Sequence, residues 1–205
     1  MIRARHNFFV YNFFKIYNKF NIRRNFNEVK VIGNVDVENH SVLIVSNHVS
    51  WWDGFWVLHL CVNVLYKKFH FMMLESELKK RPLFSLSGGF SIAKGAKSII
   101  ESLNYSSELL KDKQNLVLMF PQGKLHSIYH NDFKFEKGVE RIIEKSAQSK
   151  LIFMATFIEY FDHPKPDLYI YLVEQHEDTL SKNDLATAYT SFFNQCLETH
   201  KSFEL

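Results

Sequence analysis

The stretch SVLIVSNHVSWWDGFW, residues 41–56, passes from an unbroken apolar run through a short polar turn into a segment with helical spacing. The apolar run lacks the alternation of a half-exposed strand, so it reads as a central strand covered on both faces. Helical spacing sets in at about Asp53 and continues to Tyr66. A buried strand feeding a helix is the unit of an α/β domain. His48 and Asp53, five positions apart, flank the change of structure. On one continuous helix they would stand about 140° apart around the axis and diverge. They can meet only if His48 sits on the loop ahead of the helix and the chain turns to bring Asp53 back. Read from the residues, the pair is either a base with its orienting carboxylate or a helix N-cap beside an exposed loop histidine.

Working outward, the same alternation recurs. EVKVIG precedes as a strand. FHFMML follows as another, then a short helix in SELKKRP that Pro82 stops. GGFSIAK is a short strand entered through Gly88 and Gly89, and a helix is expected from Ala96 to about Asp112. NLVLMF repeats the buried-strand pattern and ends abruptly at Pro121 and Gly123. After the polar loop KLHSIYHNDFKF come a helix over 136–148, the strands KLIFMATFIEY and DLYIYLVE, and a closing amphipathic helix from about Lys182 to Thr199. Strands alternating with helices predict a single α/β domain with a mostly parallel central sheet flanked by helices.

The length of 205 residues suits one core that needs neither disulfides nor metals. Cys61 and Cys196, far apart in sequence, form no disulfide or zinc framework. No apolar run reaches the roughly 20 residues of a membrane-spanning helix. Asn7, Asn12, Lys15 and Asn18 interrupt the N-terminal apolar segment, and no small-residue cleavage site follows, so a signal peptide is not expected.

Aromatic residues make up 16% of the chain, more than a core alone calls for. The net charge of +3 is unevenly spread: residues 1–30 carry seven Lys and Arg against Glu28 alone. In residues 7–20, Phe9, Val10, Phe13, Ile16, Tyr17 and Phe20 recur at helical spacing, with Asn7, Asn12, Lys15, Asn18 and Lys19 mostly opposite. Residues 1–25 therefore read as an amphipathic helix, suited to a membrane interface with anionic headgroups or to docking on the core, and residues 26–205 as the α/β domain. Nucleic acid is not an expected partner.

In open α/β sheets ligands gather at the carboxyl ends of the strands. SNHVSWWD leaves one buried strand there and PQGKLHS leaves the other, so adjacent strands would bring both segments to one rim. NHVSWWD, GGFSIAK and FPQG, in that order, resemble the glycerophosphate and lysophosphatidic acid acyltransferase family, as a divergent bacterial-type member. That family carries an Asn-His-x-x-x-x-Asp block, a glycine-led block ending in Arg, and a Phe-Pro-Glu-Gly-Thr-Arg-Ser block about seventy residues after the first. The likeness covers about residues 40–160. It implies acyl transfer from acyl-CoA or acyl carrier protein to a hydroxyl of a lysophospholipid-like acceptor of the 1-acylglycerol-3-phosphate type. His48 is then the general base and Asp53 the group that orients it, with no further cofactor, on the cytoplasmic side of a membrane as a peripheral protein. Direct transfer needs no serine or cysteine nucleophile, and the chain has no Gly-x-Ser-x-Gly elbow. The reaction also calls for a slot of acyl width and a positive pocket beside His48.

The chain departs from the family pattern in the acceptor blocks. Gln122 replaces Glu, Lys124 replaces Thr, Leu125 replaces Arg, and Lys94 falls at the Arg of the glycine-led block. Lysine offers a point charge where a guanidinium grips phosphate through two parallel bonds. The candidates for substrate binding are Lys94, Gln122, Gly123, Lys124, His126 and Lys134. A non-phosphate acceptor, such as a lyso-aminolipid, a glycolipid or a pigment glycoside, fits the altered block as well. The competing classes are a lipid-binding module without turnover and a thioesterase. His126, His130 and Asp132 have a spacing seen among metal ligands but no second ligand pair, and no metal is expected. Trp51 and Trp52 suit an acyl channel, a membrane interface or the core.

Overall fold

The structure, a computed structural model, describes residues 1–176 and 184–203. Seven strands form one sheet in the order β1-β7-β6-β2-β5-β3-β4. These are β1 (Val29–Ile32), β2 (Val42–Ser46), β3 (Lys68–Leu74), β4 (Gly89–Ile92), β5 (Asn115–Met119), β6 (Lys150–Glu159) and β7 (Asp167–Gln175). All neighbours run parallel except β6 and β7. The helices are α1 (Phe8–Asn25), α2 (Asp53–Leu60), α3 (Glu75–Lys80), α4 (Ala96–Leu109), α5 (Val139–Lys145) and α6 (Leu185–Lys201). The expected class is observed: a single α/β domain with a mostly parallel sheet between helices.

The two apolar runs are the centre of the sheet. Every residue of β2 and β5 is buried, and the strands pair in register from Val42 with Leu116 to Val45 with Met119. On β2, Leu43 and Val45 join one core cluster with α4, α5 and α6, while Val42 and Ile44 join the other with α1 and α2. Successive side chains point to opposite faces, so a strand covered on both sides must be apolar at every position.

Three local boundaries differ from the sequence expectation. The helix that begins at Asp53 becomes a π-helical turn over Cys61–Leu65 and ends at Tyr66 in the left-handed region, φ 52°. The Asn63 amide donates to the His59 carbonyl at 2.8 Å, competing for the acceptor of the ordinary helical bond. α5 is shorter than 136–148, because Gly138 adopts φ 127° at its start and Ser146 has left the helical region at its end. α6 starts at Leu185, where the Asp184 side chain accepts from Thr187 N–H. The first residues expected for that helix, 182 and 183, lie outside the described residues.

α1 corrects the sequence reading of its faces. Phe14, Asn18 and Ile22 are buried toward the domain, and Asn18, expected on the solvent side, donates its amide to the Phe55 carbonyl at 2.9 Å. The opposite stripe of Phe9, Phe13, Ile16 and Phe20 stands at least 57% exposed. Ahead of α1, the extended segment from Ile2 to His6 follows the outer edge of β4 through bonds to Ser91 at one end and a bridge to Ser87 at the other. His6 meets His70 there edge-on, and burial pushes the two imidazoles down to about 4 and about 3.

Candidate active site

β2 delivers Asn47 and His48 to the carboxyl rim of the sheet, and Asp53 opens α2 five residues later. Asp53 does not cap its own helix. Its Oδ2 turns back into the loop and accepts from the N–H groups of Val49 at 2.8 Å and Ser50 at 3.0 Å. The same oxygen lies 2.8 Å from His48 Nδ1. A carboxylate oxygen already approached by two donors can only accept, so Nδ1 carries the proton and the Nε2 lone pair is left free. The pair expected from the sequence is therefore formed, with Asp53 1% exposed and the His48 side chain 26% exposed. This arrangement can take a proton at Nε2 and stabilise the resulting imidazolium through a buried carboxylate.

The loop of β5 meets this one. His48 N–H donates to Gln122 Oε1 at 2.7 Å, and His126 N–H donates to the His48 carbonyl at 2.9 Å. The His48 ring lies flat on Phe120, centroids 4.0 Å apart and planes 11° from parallel. Each side of His48 thus has a partner except Nε2, which has none among the described residues. Gln122 serves the frame of the site: it is buried, and its Nε2 has no partner. Gly123, at φ 68°, makes the turn after β5, a conformation that costs a side-chain-bearing residue more than glycine.

The remaining expected substrate-binding residues are spread along the rim. Lys94 follows β4, three strands from β2, or about 14 Å away at the usual strand spacing. Lys124 and Lys134 are exposed on the β5–α5 connection. His126 is partly exposed and stacks on His130, centroids 4.5 Å apart. Its imidazole is held below the usual histidine value by desolvation first, then by His130 and Lys124. The shift favours the neutral imidazole at pH 7. Leu125, at the position of the family's arginine, is 54% exposed. Among the described residues no group of three or more His, Cys, Asp or Glu is placed to hold a metal ion.

An aromatic surface adjoins the loop. Trp51 and Trp52, both in part exposed, pack on Phe55 at 5.6 and 5.3 Å, and Trp51 also meets Phe84. Phe55 contacts Tyr17 of α1, which stacks on Phe13. Aromatic contact thus runs unbroken from the outer stripe of α1 to the residues between His48 and Asp53. The expected slot is a different matter. Cavities of about 330 Å³, at His40, Lys150 and Glu174, and about 280 Å³, at Asp132, Thr187 and Asn194, contain no residue of the His48 loop. The apolar feature beside His48 is a surface rather than either of these cavities.

A mostly parallel sheet that presents a carboxylate-held histidine on the loop of a central strand, beside a Phe-Pro-x-Gly turn, defines a class of α/β domain with a histidine–carboxylate pair at its rim. The comparisons give that class a family. The model of the family described as Acyltransferase matches residues 15–164, nearly three quarters of the chain, and the protein belongs to that family. Its fold is similar to the crystal structure of the 1-acyl-sn-glycerophosphate (LPA) acyltransferase PlsC from Thermotoga maritima. The TM-score is 0.60 at 14% identity, over 95% of this chain and 80% of that one. No curated protein sequence matches the chain.

Proposed function

We propose that the protein transfers a fatty acyl group from acyl-CoA or acyl carrier protein to a hydroxyl of a lysophospholipid-like acceptor, with His48 as general base. The single observation that carries this reading is the 2.8 Å bond from His48 Nδ1 to buried Asp53, which leaves Nε2 free at the rim. The acceptor hydroxyl gives its proton to Nε2 as its oxygen attacks the thioester carbonyl. The tetrahedral intermediate then collapses, the C–S bond breaks, and the imidazolium returns the proton to the departing thiolate. Ester and free thiol are the products, and no covalent enzyme intermediate forms. Purified protein given acyl-CoA and 1-acylglycerol-3-phosphate in vesicles should release thiol only when the acceptor is present. His48→Ala should lower that rate by about 10³-fold, the scale of a general base. Equal release by His48→Ala overturns the mechanism, and release without acceptor makes the protein a thioesterase.

A specific observation favours a second acceptor class. With Leu125 exposed where the family has arginine and the neutral form of His126 favoured, a lipid whose reacting headgroup carries no phosphate meets less mismatch here. A lyso-aminolipid or a glycoside turned over faster than the phosphate acceptor decides for it.

The reaction is assigned to a membrane surface, on the cytoplasmic side, with the protein bound peripherally. No described helix is long and apolar enough to cross a membrane. What supports surface binding is the exposed stripe of α1, Arg23 and Arg24 in its last turn, and the aromatic contacts leading to Trp51. Because α1 also buries Phe14 and Ile22, substitution tests this better than deletion. Phe13→Asp with Phe20→Asp should leave the fold intact and cut sedimentation with anionic liposomes. Unchanged sedimentation removes the membrane role.

A further inference from the structure

Chain beyond the family match also reaches the site. The match ends at residue 164, and α6 lies past it. From α6, Tyr189 enters the interior with no exposed surface. Its hydroxyl accepts from the Asn47 backbone N–H at 2.7 Å and donates to the Met154 carbonyl of β6 at 2.7 Å. Asn47 directly precedes His48, and its own Oδ1 accepts from Thr156 N–H at 3.2 Å. The Tyr189 ring meets Phe133 edge-on, centroids 4.9 Å apart, in the loop that follows the Phe-Pro-Gln-Gly turn. One phenol therefore touches the chain before His48, the neighbouring strand and the second loop of the rim.

Any large aromatic could fill that volume, so the argument rests on the hydroxyl. A phenylalanine would strand the Asn47 N–H and the Met154 carbonyl in a dry interior, where unpaired polar groups are rare and costly. The N–H groups of Asn47 and His48 are consecutive and are taken by different neighbours, Tyr189 and Gln122. Two successive peptide planes are thereby fixed, and they set the direction in which the His48 side chain leaves the backbone toward Asp53. We infer that Tyr189 is a positioning residue for His48, contributed by a helix outside the family-matched region. The kinetic consequence rests on the acyl-transfer reading above; the structural one does not.

The test compares Tyr189→Phe with Cys196→Ala, a buried change on the same helix that breaks none of these bonds. Two quantities are read: kcat and KM with acyl-CoA and acceptor, and the NMR signal of the His48 Nδ1–H proton, assigned by its loss in His48→Ala. In Tyr189→Phe, kcat should fall by about tenfold to a hundredfold, as expected for a slightly misplaced base, with KM near its wild-type value. The Nδ1–H signal should broaden through faster exchange with water, and Cys196→Ala should alter neither quantity. A wild-type kcat together with a sharp signal in Tyr189→Phe overturns the inference. So does equal damage from Cys196→Ala, because helix stability alone would then account for both. If His48→Ala keeps full activity, the acyl-transfer reading falls and the Nδ1–H signal alone decides the positioning. Should Tyr189→Phe fail to fold, 4-fluorophenylalanine at position 189, which keeps the ring volume and loses the hydroxyl donor, carries the same two expectations.

Discussion

The loops that leave β2 and β5 lie side by side and are held in opposite ways. In the first, Asn47 and His48 have partners from β6, α6 and the β5 turn, Asp53 is held by His48, Val49 and Ser50 of the loop itself, and Asp53 and Asn47 are buried. In the second, the two ends are held, at Gln122 and at Phe133, and the stretch between them is open. Gln122 is buried, but Lys124, Leu125, Ile128 and Tyr129 face solvent, and Tyr129 is 88% exposed. A proton-transfer group must be held to a fraction of an ångström, whereas a loop that meets different acceptors has no such demand. His48 and Asp53, which keep the family pattern, are in the rigid loop, and two of the departures, Lys124 and Leu125, lie in the open one.

The sharpest way to break that contrast is Asp53→Asn. The amide keeps the size but cannot offer the same acceptor to His48 Nδ1 and two backbone donors at once. We expect kcat to drop by about 10³-fold and stability to fall by about 1–3 kcal/mol from the stranded donors, read by thiol release and by urea unfolding. Activity within a few-fold of wild type would show that the carboxylate is only a loop brace.

Gln122 tests where the rigid part ends. Gln122→Ala removes the acceptor for His48 N–H and should cost about tenfold in kcat and about 1–2 kcal/mol in stability. Gln122→Glu restores the family residue, keeps an acceptor for that N–H and removes an unpartnered buried donor, so kcat should stay near wild type. If the two variants behave alike, the bond from His48 to the β5 turn has no functional weight.

Much of the rigid loop was legible in the sequence, because continuous apolar runs mark central strands and the strand-to-helix change marks the rim. Those runs allow β2 and β5 to be neighbours, and helical geometry sets the condition under which His48 and Asp53 can meet; the pairing and the 2.8 Å contact are seen only in the fold. What escaped was carried by contacts distant in sequence. The bond of Gln122 to His48 N–H spans 74 positions, and Tyr189 reaches Asn47 across 142. The buried side of α1 was misread for a related reason. Both stripes of that helix are apolar, and only the Phe55 carbonyl, 37 residues away, decides that Asn18 faces inward. Single-sequence periodicity reports that a face is apolar, not what covers it.

The open loop is sharpened by smaller effects. Leu125→Arg returns the family's guanidinium to an exposed position. The gain for a phosphate acceptor should be modest, about a few-fold in KM with kcat unchanged, since an exposed ion pair contributes roughly 0–1 kcal/mol. A loss of kcat instead would mean that Leu125 belongs to the rigid frame.

The smallest effect expected is a pH dependence from His126. Its imidazole lies below the ordinary histidine value, chiefly through desolvation and then through His130 and Lys124. The protonated form therefore appears at lower pH than it would for a free histidine. KM for an anionic acceptor should accordingly decrease as pH falls, at lower pH than a free histidine would produce, because the loop gains a charge only as His126 is protonated. For an uncharged acceptor the same titration should leave KM level, and His126→Gln should flatten the curve for the anionic one. The backbone bond from His126 N–H to the His48 carbonyl survives that substitution, so kcat above pH 7 should not move. A fall in kcat there would place the imidazole, and not only its peptide, among the groups that hold His48.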